Sequence, residues 1–172
     1  KICSHELYFQ AKSLRNGNNC CKYCSHLELC NNNDCNFCFN NSFASYNGKT
    51  KNGKLIKDCL ISNVEPRKII KGTNKKYEFK CICGHSIYKQ IREICYDNEW
   101  CPYCSVPVKK ICDDIDCNFC FNNSFASFLG KTKNGKLKIE CWDYEKNKNI
   151  DIRHISYGNT SKYWFKCDNC PH

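Results

Sequence analysis

The chain has 172 residues, of which 19 are cysteine and none is methionine, and its formal charge is +10. Few Leu, Ile and Val remain to build one large core, so the composition argues against a single conventional domain and for small units held by staples. No apolar run of about 18 residues exists, which removes a membrane-spanning helix, and the lack of Met even at position 1 reads as a piece of a longer polypeptide.

Most cysteines come as close pairs, C-x-C or C-x2-C. Members of such a pair bond to each other only with strain but readily share one metal. Zinc is therefore the reading over disulfides, and it implies a reducing compartment. With about 17 zinc-bound thiolates on about five ions, the folded charge falls to about +3. A polyanion partner is then allowed but not demanded. Only Arg15, Arg67, Arg92 and Arg153 accompany the many lysines, which disfavours sequence-specific reading of guanine.

Taken in order, the chain opens on Cys3-Ser-His5, with Leu7, Ala11 and Leu14 at helical spacing before Cys21-Lys-Tyr-Cys24. Cys3, Cys21 and Cys24 are three ligands of a ribbon-type site whose fourth would precede Lys1. Cys20 falls at a packing position opposite Trp100. Next comes Cys30-x4-Cys35-x2-Cys38, a three-cysteine set. Cys59, 20 residues beyond, is the expected fourth ligand; the alternative is a buried core thiol, with water or a histidine completing the site. Between them, Asn52-Gly53 predicts a type I′ hairpin flanked by Lys49, Lys51 and Lys54.

Lys76–Lys80 alternates aromatic and charged residues and predicts a half-buried strand. It enters Cys81-Ile-Cys83-Gly-His85; then Ile87, Ile91 and Ile94 predict a short amphipathic helix before Cys101-Pro-Tyr-Cys104. Cys81, Cys83, Cys101 and Cys104 form a closed four-cysteine zinc site. His85, like His5 and His172, either replaces a sulfur or, as preferred, packs on the knuckle and donates a hydrogen bond to it.

The pattern then returns about 82 residues on. Cys112, Cys117 and Cys120 repeat Cys30, Cys35 and Cys38, followed by the same Cys-Asn-Phe-Cys-Phe-Asn-Asn-Ser-Phe-Ala-Ser run. Lys131, Lys133 and Lys136 repeat the hairpin lysines, and Cys141 repeats Cys59. Lys162-Tyr-Trp-Phe-Lys-Cys167-x2-Cys170 begins another ribbon. Only Cys20 and Cys95 are left without a metal role. The modules are expected at 1–29, 30–59, 60–111, 112–141 and 142–172, a small α+β array of tandem metal-stapled zinc ribbons with short hairpins and short helices.

At these residues the chain resembles a family. Phe-Lys-Cys-x(1,2)-Cys-x-His, the helical spacer and Cys-Pro-Tyr-Cys resemble the zinc-ribbon or treble-clef repeat of uncharacterised giant DNA virus proteins, the mimivirus-like set above all. The Lys- and Asn-rich, Arg-poor composition agrees with an AT-rich coding genome. The resemblance implies zinc and repetition and places the protein in the infected host cytoplasm or the virion interior. It departs from the family at Cys81-Ile-Cys83, where C-x2-C is usual, and at Cys20-Cys21-Lys-Tyr-Cys24, where Trp-Cys-Pro-x-Cys is usual.

Closed four-cysteine sites leave no open metal position, and no nucleophile elbow, P-loop or metalloprotease motif is present, so the expectation is a non-enzymatic module without a small-molecule substrate. Two binding functions follow. The hairpin lysines suit nucleic-acid phosphates, with Tyr77, Phe79, Tyr163, Trp164 and Phe165 available for base stacking or, as preferred, core packing. The alternative is a virion scaffold contacting other proteins.

Overall fold

A computed structural model describes residues 3–8 and 21–170. Cys20, His172 and the stripe positions Ala11 and Leu14 lie outside the described residues. The chain packs as two compact units, Lys1–Trp100 and Cys101–His172; the division falls inside the module expected at 60–111.

In the first unit, helix α1 (Asn36–Asn40) starts directly after Cys35. The repeated Asn-Asn-Ser run ends it: Asn41 Nδ2 donates to the Phe37 carbonyl at 2.8 Å and Ser42 Oγ to that of Phe39 at 2.7 Å. Orphan carbonyls of the last turn are thereby satisfied. The chain then turns Phe43 fully inward, its N–H bonded to the Ile69 carbonyl at 2.7 Å. Strands β1 (Lys76–Lys80) and β2 (Ser86–Gln90) form an antiparallel pair with Phe79 opposite Ile87.

The expected strand is present, but the expected helix begins later. Ile87 belongs to β2, and only Ile91–Cys95 is helical (α2). Gln90 and Glu93 form a reciprocal capping box that sets this start. Ile87 and Ile91 are both buried, so an apolar spacing of four is met across a strand–helix junction.

The core is aromatic. Phe79 is 0% exposed and meets Phe43 and Trp100 edge-on at centroid distances of 6.0 and 5.4 Å, and Ile69, Ile91 and Ile94 of the same unit are also fully buried. Such edge contacts add to the large apolar area each ring buries.

The second unit repeats this plan with helix α3 (Asn118–Asn122). Phe125 bonds the Ile155 carbonyl at 2.7 Å and packs on Phe165, which also meets the buried Trp142 at 5.4 Å. Here the Asn147 side chain acts as a strand partner, donating to the Trp164 carbonyl at 2.8 Å and accepting from its N–H at 3.0 Å.

The Asn-Gly hairpins form, but not as type I′ turns. Thr50 N–H bonds the Lys54 carbonyl at 2.8 Å and Gly53 N–H that of Thr50 at 2.9 Å; Gly53 has φ +87°, while Asn52 is not among the positive-φ residues. That is a three-residue loop closed by a left-handed glycine. Thr132, Gly135 and Lys136 repeat it. Among the described residues no helix is long and apolar enough to cross a membrane.

Candidate metal centres

None of the described cysteines forms a disulfide. In the first unit they gather with histidine into two neighbouring groups. Cys3, Cys21 and Cys24 form one, as the spacing predicts, with Cys3 and Cys21 sulfurs 3.3 Å apart. The knuckle is made by backbone: Cys24 N–H points at Cys21 Sγ at 3.3 Å.

The second group is Cys30, Cys35, Cys38 and His5. His5 Nε2 lies 3.4 Å from both Cys35 Sγ and Cys38 Sγ. Tetrahedral zinc with ordinary Zn–S and Zn–N bonds holds such atoms about 3.5 Å apart, so the donor set fits. Cys30 N–H donates to Cys38 Sγ at 3.3 Å, and the second unit repeats that bond from Cys112 to Cys120.

Cys59 is therefore not the fourth member of this group. It ends a 3-10 turn (Ile56–Cys59), is 3% exposed, and directs its thiol to the Leu55 carbonyl at 3.7 Å. Burial pushes its pKa up, as for a thiol held in the core. Cys141 ends the matching turn (Lys138–Cys141) with its thiol 3.8 Å from the Leu137 carbonyl. Both are core thiols, the alternative that spacing left open. Equal sequence separation in two copies signals a shared fold position as readily as a shared ligand role, and here it signals the former.

The two histidine readings also meet in the structure. His85 Nδ1 lies 3.2 Å from Cys83 Sγ, the knuckle contact expected, whereas His5 shows the ring's other nitrogen facing a second set of sulfurs. The His5 ring stacks on Tyr23 (centroids 4.1 Å, 27°) and meets Phe37 edge-on at 6.2 Å. In sequence register, His85 precedes Cys112, Cys117 and Cys120 as His5 precedes Cys30, Cys35 and Cys38.

Cys81 belongs to the first unit and Cys101 and Cys104 to the second; all three are buried, and Cys83 is half-buried. Cys167 and Cys170 are exposed.

Hydrogen bonding from Cys24, then from His5, lowers Cys3 to about 6, while Cys24 keeps its proton and rises to about 11. Bonds from Cys3 and then Cys30 raise His5 to about 9. Burial opposes ionisation of Cys30, but contacts with His5, Cys38 and Asn32 still bring it to about 6; burial holds Cys38 near 11.

Two of the four arginines brace the ligand loops. Arg67 Nη2 donates to the Asn32 carbonyl at 2.9 Å; Arg153 Nη2 donates to those of Asp114 at 3.1 Å and Cys117 at 3.0 Å, with Phe121 beneath its guanidinium. Sequence reasoning weighed arginine only for nucleic acid and missed this use. The signal available was position, since Arg67 and Arg153 occupy the same place in the two copies.

Comparison with known proteins agrees with this chemistry. Residues 139–172 match the family model described as "Probable Treble clef zinc finger domain". The resemblance to a giant-virus treble-clef repeat holds. Over 151 residues the chain is 33% identical to the uncharacterized protein R635 of Acanthamoeba polyphaga mimivirus, an alignment covering 87% of this chain. The aligned region spans 32% of that relative's length. No solved structure matches the chain. The chain thus combines small α+β units, a treble-clef match at its C-terminal end and cysteine and histidine clusters consistent with treble-clef modules that suit a metal ion, with zinc the ion that the matched domain type implies.

Proposed function

We propose that this chain is a non-enzymatic zinc-repeat module that grips nucleic acid by its phosphates. The observation that carries the reading is the duplicated hairpin. Lys49, Lys51 and Lys54, and again Lys131, Lys133 and Lys136, are all exposed on a turn of defined geometry. None of the ion pairs among the described residues uses any of them. Lys57, by contrast, is spent on the Ala44 carbonyl at 2.7 Å.

Charge supports the same reading. With Cys59 and Cys141 kept as neutral thiols, the zinc-loaded chain carries about +5 in place of about +3. Phosphate contacts of this kind position a protein without reading sequence, which suits lysine on a turn. Aromatic stacking contributes less than the strand sequence suggested. Phe79 is core, and of the residues named for stacking only Trp164 (59% exposed) and Phe165 (45%) show a substantial face. The proposed setting is a reducing one, the infected host cytoplasm or the virion interior, because it preserves zinc–thiolate sites.

The test is binding of a labelled duplex and a labelled single strand across a salt series, with zinc content checked in parallel. Changing Lys49, Lys51 and Lys54 to Gln is expected to leave zinc content unchanged and to flatten the salt slope by about 2–3, roughly one per lost phosphate contact. Zinc-loaded protein that binds neither strand, or binds with no salt dependence, refutes the nucleic-acid reading. In that case the scaffold reading, contact with other virion proteins, takes its place.

A further inference from the structure

We propose that Cys3-Ser4-His5 serves two metal ions at once, the Cys3 thiolate joining the ribbon site of Cys21 and Cys24 and the His5 imidazole completing a separate Cys3His zinc site with Cys30, Cys35 and Cys38. The two ions are consequently coupled. This rests on the zinc-repeat part of the proposed function and not on its nucleic-acid part.

The geometry is specific. His5 Nε2 faces Cys35 and Cys38 at 3.4 Å each, so the ring belongs to their site. Its face, however, lies on Tyr23, which stands inside the Cys21-x2-Cys24 knuckle of the other site. Its edge partner Phe37 stands inside the Cys35-x2-Cys38 knuckle. The imidazole is thus clamped by the spacer aromatic of each knuckle. Ser4, the single residue between the two ligands, has φ +53°, a turn that lets Cys3 and His5 reach different sites.

The coupling is mechanical. Filling the ribbon site fixes Cys3, Cys21 and Cys24, and with them Tyr23 and the backbone of His5. The Cys3His site then binds its ion without spending its own affinity on ordering His5. Residues that orient a ligand typically change metal affinity by about 10–100-fold. The repeat supplies the same parts in the second copy, with Cys83, His85, Tyr103 and Phe119 at the corresponding positions.

The experiment uses the full chain loaded with zinc, a graded chelator, and alkylation read cysteine by cysteine by mass spectrometry. Cys112, Cys117 and Cys120 serve as an internal control. His5→Gln is expected to expose Cys30, Cys35 and Cys38 at about tenfold lower chelator, while Cys59→Ser leaves them protected. Tyr23→Ala, which removes no ligand, shifts the midpoint of Cys30, Cys35 and Cys38 in the same direction, and Tyr23→Phe restores it. Cobalt substitution gives a second readout, because a three-sulfur, one-nitrogen site loses its spectral signature in His5→Gln. Unchanged protection in His5→Gln, or exposure in Cys59→Ser, overturns the ligand assignment; an unmoved midpoint in Tyr23→Ala overturns the coupling.

Discussion

Arg153 offers a direct check on how the ligand loops are held. Replacing it with Met keeps much of the stem but removes the guanidinium that lies over Phe121 and, with it, two charged hydrogen bonds to the carbonyls of Asp114 and Cys117. Each such bond contributes about 1.5–3 kcal/mol. Against that stands relief from burying the guanidinium of a residue only 9% exposed, with Nε and Nη1 lacking partners. The balance is a net loss of about 1–3 kcal/mol, or roughly 5- to 150-fold in metal affinity at Cys112, Cys117 and Cys120. Arg67 is more exposed and makes one such bond, so Arg67→Met should cost about 1 kcal/mol at Cys30, Cys35 and Cys38. Zinc release under chelator competition, followed by site-resolved alkylation, measures both. Equal effects, or no movement at Cys112, Cys117 and Cys120 in Arg153→Met, refute the bracing argument.

Gly53 has φ +87° and nothing within 4 Å of an added Cβ, so Gly53→Ala pays for backbone conformation alone, about 1–2 kcal/mol by denaturant unfolding. Gly72 is equally open but lacks the positive φ, and Gly72→Ala should be neutral or slightly stabilising. Burial raises Cys95 to about 11, above its unfolded value of about 9. Above pH 9 the unfolded chain releases this proton while the folded one keeps it, so stability falls from about pH 9 to about pH 11. A Cys95→Ala variant, unfolded alongside at each pH, should lack that part of the slope. Phe79→Ala, at the centre of the first unit's aromatic cluster, should cost about 3–5 kcal/mol in thermal or denaturant unfolding, and a loss under 1 kcal/mol would refute its central place.

Local signals in this chain were legible because they act over a few residues. Alternation at Lys76–Lys80 gave a strand, and paired cysteines gave the group of Cys3, Cys21 and Cys24. What misled was anything decided by through-space arrangement. Ile87, Ile91 and Ile94 have helical spacing, yet pairing of Phe79 with Ile87 claims the first for β2, and the Gln90–Glu93 box starts the helix after it. Asn52-Gly53 favours a two-residue turn, but the Thr50–Lys54 closure adds a residue and leaves only Gly53 left-handed.

Cys59 shows why a ligand count misleads in a cysteine-rich chain. Three sulfurs called for a fourth, and a cysteine stood at the same distance in both copies. In a chain with few aliphatic residues, however, cysteine is also a small core residue, and Cys59, buried with Ile56 in one turn and followed by Leu60, which bridges to Phe79, fills that role. The missing donor came from upstream, 25 residues before Cys30, from a histidine whose nearness to Cys3 suggested that it belonged to Cys3's site. A histidine two residues after a knuckle cysteine can touch that sulfur with Nδ1, as His85 does, and still have Nε2 for another ion. Assigning the ring to a single site discards half of its chemistry. In an array with so little core, a side chain that links two metal centres also does what packing does elsewhere: it makes the stability of one module depend on the next.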